Sequence, residues 1–153
     1  MQVTSRWVHG TIVQAEGDVE HIIRKGWGTH IGLKQAKENW FHFPLTTLSE
    51  YSGHSLQVGR VFVLYSVEPG VVINEVHVYD GVRLIAAFDK LGYGGTHDAK
   101  IDEYNQWYLD PPVTVHFGVG ISVKVEIQED ARVGIPEVVF NAAGAEFSLP
   151  VGH

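Results

Sequence analysis

The most regular feature of the hydrophobic pattern is a strict alternation that runs from Val113 to Ile127. Every second residue of this run is apolar, and the residues between them are polar or glycine. Such a period of two predicts a β-strand with one face for a hydrophobic core. A straight strand of this length would extend roughly 50 Å, far more than usual. We therefore predict a bend or bulge at Gly118 and Gly120, which would turn a corner in a sandwich or a barrel.

The clearest hairpin signal is the dipeptide Asp80-Gly81, which separates two strand-like runs. Asp-Gly is typical of a two-residue type I′ turn. A turn of this kind places Tyr79 opposite Val82. The pattern therefore predicts an antiparallel hairpin over residues 74–88.

Further strand-like runs, separated by turn signals, occur at 7–15, 21–23, 40–45, 61–67, 71–73, 104–109, 137–140 and 146–151. The segment 33–39 is the only candidate helix, and it is short and poorly capped. With about nine or ten strands, the chain is predicted to be a single-domain antiparallel β-sandwich or jelly roll over residues 1–153. A closed β-barrel is the second choice. The Gly-rich segment 92–100 is predicted to be a mobile surface loop of the kind that carries binding.

Length and composition narrow the class of protein. A chain of 153 residues can fold as one domain without a disulfide or a structural metal. It contains no cysteine, which excludes disulfides and thiolate metal sites. The net charge of −7, with scattered basic residues, argues against nucleic acids and anionic membranes as partners. No apolar run is long enough for a membrane span and no signal-peptide pattern is visible, so we expect a cytoplasmic protein.

Four short segments form a distinctive set: WVHG at 7–10, NWFHFP at 39–44, VHVYDG at 76–81 and GVGIS at 118–122. They resemble the recurring segments of a small bacterial family of uncharacterised all-β proteins of about this length. The resemblance extends from the first predicted strand to the long one, which is most of the chain. It implies no activity, because none is established for that family.

The nine histidines are the main candidates for chemistry. His42, His77 and His116 lie within predicted strands and, together with Glu75, could form a site for zinc, iron or a similar divalent ion. Neither His-x-His nor His-Glu-x-x-His occurs, so a divalent metal is an option that the sequence does not require. The alternative is that these histidines are hydrogen-bonded within the sheet and have a structural role.

A catalytic site without a metal is a second option. Glu75, His77 and Tyr79 alternate along one predicted strand, so their side chains point the same way. Such a row, with His116 as a further candidate, would transfer protons if a pocket shifted the histidine pKa toward neutrality. Polar rows also line ordinary solvent-exposed faces, and neither a nucleophile elbow nor a phosphate-binding loop occurs.

The aromatic residues point to binding instead. Flat rings mixed with amide and carboxylate groups suit a carbohydrate or another small molecule. The predicted ligand-binding residues are Trp107, Tyr108, Trp40, Tyr93 and His97. The alternative is that the tryptophans fill the core. Acidic residues at 98, 102, 110, 129 and 130 are candidates for calcium, although they lack EF-hand spacing.

Two functions and one form of assembly therefore stay open. The favoured function is a β-sandwich that binds a small molecule or a glycan and needs no cofactor. The alternative is a small enzyme with a histidine pocket inside the sandwich, with or without a metal ion. Exposed edge strands would in addition allow a symmetric homodimer.

Overall fold

The computed structural model of the chain describes residues 2–35, 39–47, 50–128 and 134–150. In this part of the chain β-strands dominate, joined by turns and by one 3-10 turn at Gly10–Ile12. The strands are β1 (Gln2–His9), β2 (Gln14–Ala15), β3 (His21–Lys25), β4 (Gly28–Gly32), β5 (Asn39–Pro44), β6 (Glu50–Tyr51), β7 (His54–Ser55), β8 (Gln57–Val67), β9 (Val71–Asp80), β10 (Arg83–Phe88), β11 (Thr96–His97), β12 (Gln106–Thr114), β13 (Val119–Ile127) and β14 (Glu137–Ser148). The prediction of an all-β fold is confirmed.

The strands form two large antiparallel sheets and one small hairpin, β6-β7. The seven-stranded sheet has the order β11-β8-β14-β4-β3, with β1 paired to β14 and β12 paired to β8. The five-stranded sheet has the order β10-β9-β13-β5-β2. The two sheets pack face to face as a β-sandwich, so the sandwich prediction is confirmed and the closed barrel is not the fold.

The core lies between the two sheets and follows the period of two. Ile121 and Val123 of β13 are fully buried on the inner face. Phe140 of β14 contacts Phe41 and Phe43 of β5, with ring centroids 5.4 and 5.3 Å apart, and so joins the two sheets. Burial of each such side chain stabilises the fold by roughly 1.5–3 kcal/mol.

The single long strand predicted over 113–127 is two strands in the structure, β12 and β13, separated by residues 115–118. The carboxylate of Asp80 accepts hydrogen bonds from the three successive backbone N–H groups at 116–118 and holds the turn there. The bend predicted at Gly118 falls within this turn, whereas Gly120 lies inside β13. The alternation itself continues through the turn and does not mark where the first strand ends. Phe117 occupies an apolar position of the pattern but is 83 % exposed.

The predicted hairpin forms, but its predicted register is wrong. The turn consists of Gly81 and Val82, and Leu84 pairs with Tyr79. Asp80 stays within β9 because its buried side chain is held by the turn before β13. A bulge in β10 then shifts the remaining pairs.

Two predicted boundaries also differ. The strand predicted over 7–15 is interrupted by the 3-10 turn, and the runs 137–140 and 146–151 belong to one strand, β14. β4 was missed, because its terminal glycines obscure the alternation. In the candidate helix, residues 33–35 are not helical, and 36–38 lie outside the described residues.

The Gly-rich segment 92–100 is attached to both sheets, in contrast to the free loop expected from its glycines. Tyr93 and Ile73 exchange two backbone hydrogen bonds of 2.8 and 2.9 Å, which ties the segment to β9. β11 pairs with β8 of the other sheet. The segment therefore closes one edge of the sandwich.

Candidate functional site

Three neighbouring strands of the five-stranded sheet, β9, β13 and β5, bring polar and aromatic side chains together on the outer face. Gly120, Ser122 and Lys124 of β13 each have one partner on β9 and one on β5. Three rows follow one another: Tyr79-Gly120-Pro44, His77-Ser122-His42 and Glu75-Lys124-Trp40. The alternate residues of these strands face the core, so the period of two explains why the nine residues share one face.

Two outward residues of the middle strand, Gly120 and Ser122, are small, and this opens a groove of about 720 Å³. Gly120 has no side chain, and a Cβ atom at this position would meet nothing within 4 Å. Gly120 and Ser122 together form the floor of the groove. The groove is lined by Gln14, Glu16, Trp40, His42, Phe43, Pro44, His77, Tyr79, Gly81, Gly120, Ile121 and Ser122.

Aromatic rings border the groove on both sides. Trp40 on β5 and Tyr79 on β9 both line it. His77 lies between them, with ring centroids 5.0 Å from Trp40 and 6.5 Å from Tyr79. Aromatic faces arranged in this way can stack against the apolar face of a flat or cyclic ligand.

His77 also has two acidic neighbours. Its Nε2 atom lies 3.3 Å from a carboxylate oxygen of Glu75 and 3.3 Å from one of Asp89. The ligand atoms of these three residues all lie within 4.8 Å of one another, a spacing that could accommodate a metal ion.

A lysine weighs against a metal ion at these residues. The Lys124 ammonium group donates a 2.5 Å hydrogen bond to Glu75 and lies 3.1 Å from Glu126. The hydrogen bond with Glu75 makes the largest contribution to raising the pKa of Lys124 well above its ordinary value, and the contact with Glu126 adds to it. Lys124 is therefore charged. A fixed cation so close to Glu75 competes with a second cation for the same carboxylate.

His42 connects a carboxylate and a hydroxyl group in the groove. Its Nδ1 atom is 2.7 Å from the Ser122 hydroxyl group, and its Nε2 atom is 2.9 Å from Glu16. Both ring nitrogens are therefore engaged. The contacts hold the imidazole in one orientation over the groove floor.

The third histidine of the predicted metal set lies elsewhere. His116 is on the turn between β12 and β13 and lines a small cavity with Glu50 and Ser55. His42 and His77, in contrast, share the groove. The structure therefore brings two of the three imidazoles together.

The other predicted ligand-binding residues are spread over the molecule. Trp107 is 5 % exposed and stacks on Tyr93 with ring centroids 6.4 Å apart. His97 uses both ring nitrogens, one with Asp102 and one with the Gly94 carbonyl group, each at 2.8 Å.

Tyr108 is exposed, but it lies on the seven-stranded sheet beside Arg60. Asp102, the partner of His97, is one of the acids considered for calcium. Burial alone would raise the pKa of Asp102, but its hydrogen bonds with His97 and with backbone N–H groups outweigh burial and lower that pKa. Of the other acids in that group, residues 129 and 130 lie outside the described residues.

Four further residues belong to this site or contact it but are not among those predicted from the sequence: Gln14, Glu16, Asp89 and Ser122. The first two come from the edge strand β2 and the residue after it, and Asp89 follows β10. No local pattern links these segments. One signal was available, because glycine and serine at alternate positions of a central strand leave space on its outer face.

The chain belongs to DUF6623, a family of unknown function whose model matches residues 1–148. This match confirms the resemblance of the sequence segments to a family without an assigned activity. No curated protein matches the chain. The described residues contain no helix with the length and apolar character needed to span a membrane.

Two solved structures are similar to most of the chain at low identity. One is the carbohydrate-binding module CBM36 in complex with calcium and xylotriose, at 13 % identity and TM-score 0.43, covering 95 % of this chain and 100 % of that one. The other is the CBM36-1 domain of a multidomain xylanase from the hindgut metagenome of Trinervitermes trinervoides, at 11 % identity and TM-score 0.47, covering 93 % and 96 %. At these values the similarity bears on neither ligand nor mechanism.

Proposed function

We propose that this protein binds a neutral carbohydrate in the groove of the five-stranded sheet. The observation that carries the proposal is the position of Trp40 and Tyr79 on either side of a floor made by Gly120 and Ser122. A sugar ring has apolar C–H faces that stack on aromatic rings, and hydroxyl groups that need hydrogen-bond partners. The groove offers both kinds of contact.

The polar contacts come from one rim of the groove. Gln14, Glu16 and His42 supply amide, carboxylate and imidazole groups beside the floor. The volume of about 720 Å³ lies within the range of about 300–1,000 Å³ that is typical of small-ligand pockets. A short oligosaccharide is therefore a suitable occupant.

The charges favour a neutral sugar over an anionic one. Glu16 lines the groove, and Glu75 and Asp89 lie beside its His77 wall. The nearby cation, Lys124, is already paired with Glu75 and Glu126. A phosphate or uronate group would meet like charges here, and like charges at short range are unfavourable.

The test is isothermal titration calorimetry with soluble neutral oligosaccharides of glucose, xylose, mannose and galactose. We expect at least one series to bind, and we expect W40A to weaken that binding about tenfold or more, because it removes a stacking surface. W27A is the matched control: Trp27 is 50 % exposed and lies on the turn between β3 and β4. It should bind like the wild-type protein.

Two results would reject this function. One is the absence of binding for every series at millimolar concentration. The other is equal affinity of the wild-type protein and W40A, which would move the site away from the groove. Circular dichroism spectra and unfolding midpoints of each variant show whether the fold is retained.

A second candidate function rests on the contacts of His42. Glu16, His42 and Ser122 form a hydrogen-bonded series of carboxylate, imidazole and hydroxyl, an arrangement that activates a serine nucleophile in acyl-transfer enzymes. Against this, β13 is paired on both sides, so its backbone N–H groups are engaged in the sheet and do not form an oxyanion hole.

A fluorophosphonate probe distinguishes the two functions. Labelling of the wild-type protein that is lost in S122A, and retained in S66A as the control, would favour the hydrolase. A wild-type protein that does not react would leave the groove as a binding site.

A further inference from the structure

A second group of chemistry-bearing side chains lies on the outer face of the other sheet, at its β3 edge. His21 of β3 and Glu137 of β14 both pair with Gly32 of β4, so the two residues flank the same glycine. His30 lies two residues before Gly32 on β4 and points to the same face. The pairing of three strands therefore places two imidazoles and one carboxylate at the corners of a triangle.

Gly32 allows these groups to approach one another. A Cβ atom at this position would lie 2.4 Å from Cε1 and 2.6 Å from Nδ1 of His21. The His21 ring thus occupies the space that any side chain at position 32 would fill. It lies over the middle strand, towards His30 and Glu137.

The donor atoms are already close. One ligand atom from each of His21, His30 and Glu137 lies within 4.8 Å of the other two. His30 Nε2 is hydrogen-bonded to a carboxylate oxygen of Glu137, and the two imidazole rings lie 5.7 Å apart at an angle of 78°. The side chains of His30 and Glu137 are 28 % and 32 % exposed, so an ion can reach them from solvent.

We propose that His21, His30 and Glu137 bind a divalent transition-metal ion. Zinc is bound at about 2.0–2.2 Å by imidazole nitrogen and carboxylate oxygen, so small side-chain rotations that draw the three donors together around the ion complete the site. Two imidazoles and one carboxylate suit zinc and its transition-metal neighbours rather than calcium or magnesium, which prefer oxygen ligands. The remaining coordination position is open to water.

This site is independent of the groove. It lies on the seven-stranded sheet, whereas the groove lies on the five-stranded sheet. It also differs from the set Glu75, His77 and Asp89, because no lysine contacts Glu137 among the ion pairs of the described residues. Carbohydrate binding can therefore fail without affecting the metal site, and the reverse is also true.

The first test is titration of the chelator-treated, untagged chain with zinc chloride by calorimetry. We expect one zinc ion per chain with a dissociation constant in the micromolar range or below. H30A and E137Q should each weaken binding about tenfold or more, because each removes one of three ligands. H116A is the matched control, since His116 lies on the turn between β12 and β13 and not among the three ligands. This variant should bind zinc like the wild-type protein.

E137Q keeps the shape of the side chain, so it remains informative even if H30A fails to fold. Absence of zinc binding by the wild-type protein would overturn the proposal. So would full binding by H30A and E137Q, or a loss of binding in H77A alone, which would place the ion at the groove.

A second test moves a ligand without removing it. In G32A the new methyl group would overlap the His21 ring, so the ring must move away and zinc affinity should fall about tenfold. The control is G17A, because a Cβ atom at Gly17 would meet nothing within 4 Å. Unchanged affinity in G32A would contradict the role of His21 as a ligand.

Discussion

Each sheet has a glycine on a central strand, but the space above that glycine is open in one sheet and filled in the other. Gly120 of β13, in the five-stranded sheet, has open space where its side chain would be. Gly144 of β14, in the seven-stranded sheet, is covered by the indole ring of Trp7, and a Cβ atom there would lie 2.6 Å from that ring. Trp7 also stacks on Phe62 with ring centroids 4.9 Å apart. The five-stranded sheet therefore has an open groove above its glycine, whereas in the seven-stranded sheet the Trp7 ring fills the corresponding space.

The filled space above Gly144 indicates what kind of group fits above Gly120. On both faces a glycine leaves room on the middle strand, and aromatic side chains stand beside it. On the seven-stranded sheet the occupant is a flat ring from the neighbouring strand β1. In the five-stranded sheet the strand partners of Gly120 are Tyr79 and Pro44, and neither side chain covers the glycine. We expect the ring of a ligand to take that place.

The largest expected loss of stability comes from a change at Asp80, which holds the turn that leads into the groove strand β13. Asp80 is 2 % exposed, and its carboxylate accepts three backbone hydrogen bonds, of 2.9, 2.9 and 3.1 Å, from the turn that leads into β13. D80N keeps the size of the side chain but replaces an acceptor by an NH₂ group. We expect the free energy of unfolding to fall by about 3 kcal/mol, measured by chemical denaturation.

The same carboxylate predicts a dependence on pH. Burial alone would raise the pKa of Asp80, but the three N–H groups outweigh it and lower the pKa below its ordinary value. The stabilisation is therefore complete above the unfolded pKa of about 3.9 and is lost as the pH falls through the lower folded pKa. The difference in stability between the wild-type protein and D80N should shrink in that window. A constant difference down to the lowest pH would contradict this role of the charge.

The next effect disturbs the filled face. In G144A the added methyl group would overlap the Trp7 ring and would lie 2.9 Å from the backbone carbonyl oxygen of Arg6. The ring must leave its place on Phe62, and overpacking of this kind costs about 2 kcal/mol. Thermal unfolding should show the loss together with a change in tryptophan emission. An unchanged midpoint would mean that the ring is held less closely than its contacts indicate.

The sequence predicted the strands better than it predicted their neighbours. The alternation of β13 and the row Glu75, His77, Tyr79 follow from the period of two, and the register places that row on the outer face. The contact between Trp40 and His77 depends on the pairing of β5 and β9 with the same strand, which no local pattern specifies. The capping by Asp80 could not be predicted for the same reason, because the turn that it holds lies 36–38 residues away along the chain.

The second histidine cluster shows the same limit more strongly. His30 and Glu137 are 107 residues apart in the chain and become neighbours only through the pairing of β4 with β14. β4 was not predicted as a strand, so the sequence pattern did not place its histidine on either face of a sheet. Sequence patterns thus indicate which side chains of one strand share a face, whereas the order of the strands in the sheet decides which side chains of different strands are in contact.

The smallest effect on stability, and the sharpest test of the comparison, is expected for G120A. The mutation adds the same methyl group as G144A, again to a central strand, but into open space. The free energy of unfolding should therefore change by less than about 0.5 kcal/mol. The methyl group would stand on the groove floor between Tyr79 and Pro44, where it should weaken carbohydrate binding in calorimetry. A variant that loses affinity but not stability would show that the space above Gly120 serves a ligand, whereas a variant that keeps its affinity would show that the ligand does not reach the floor.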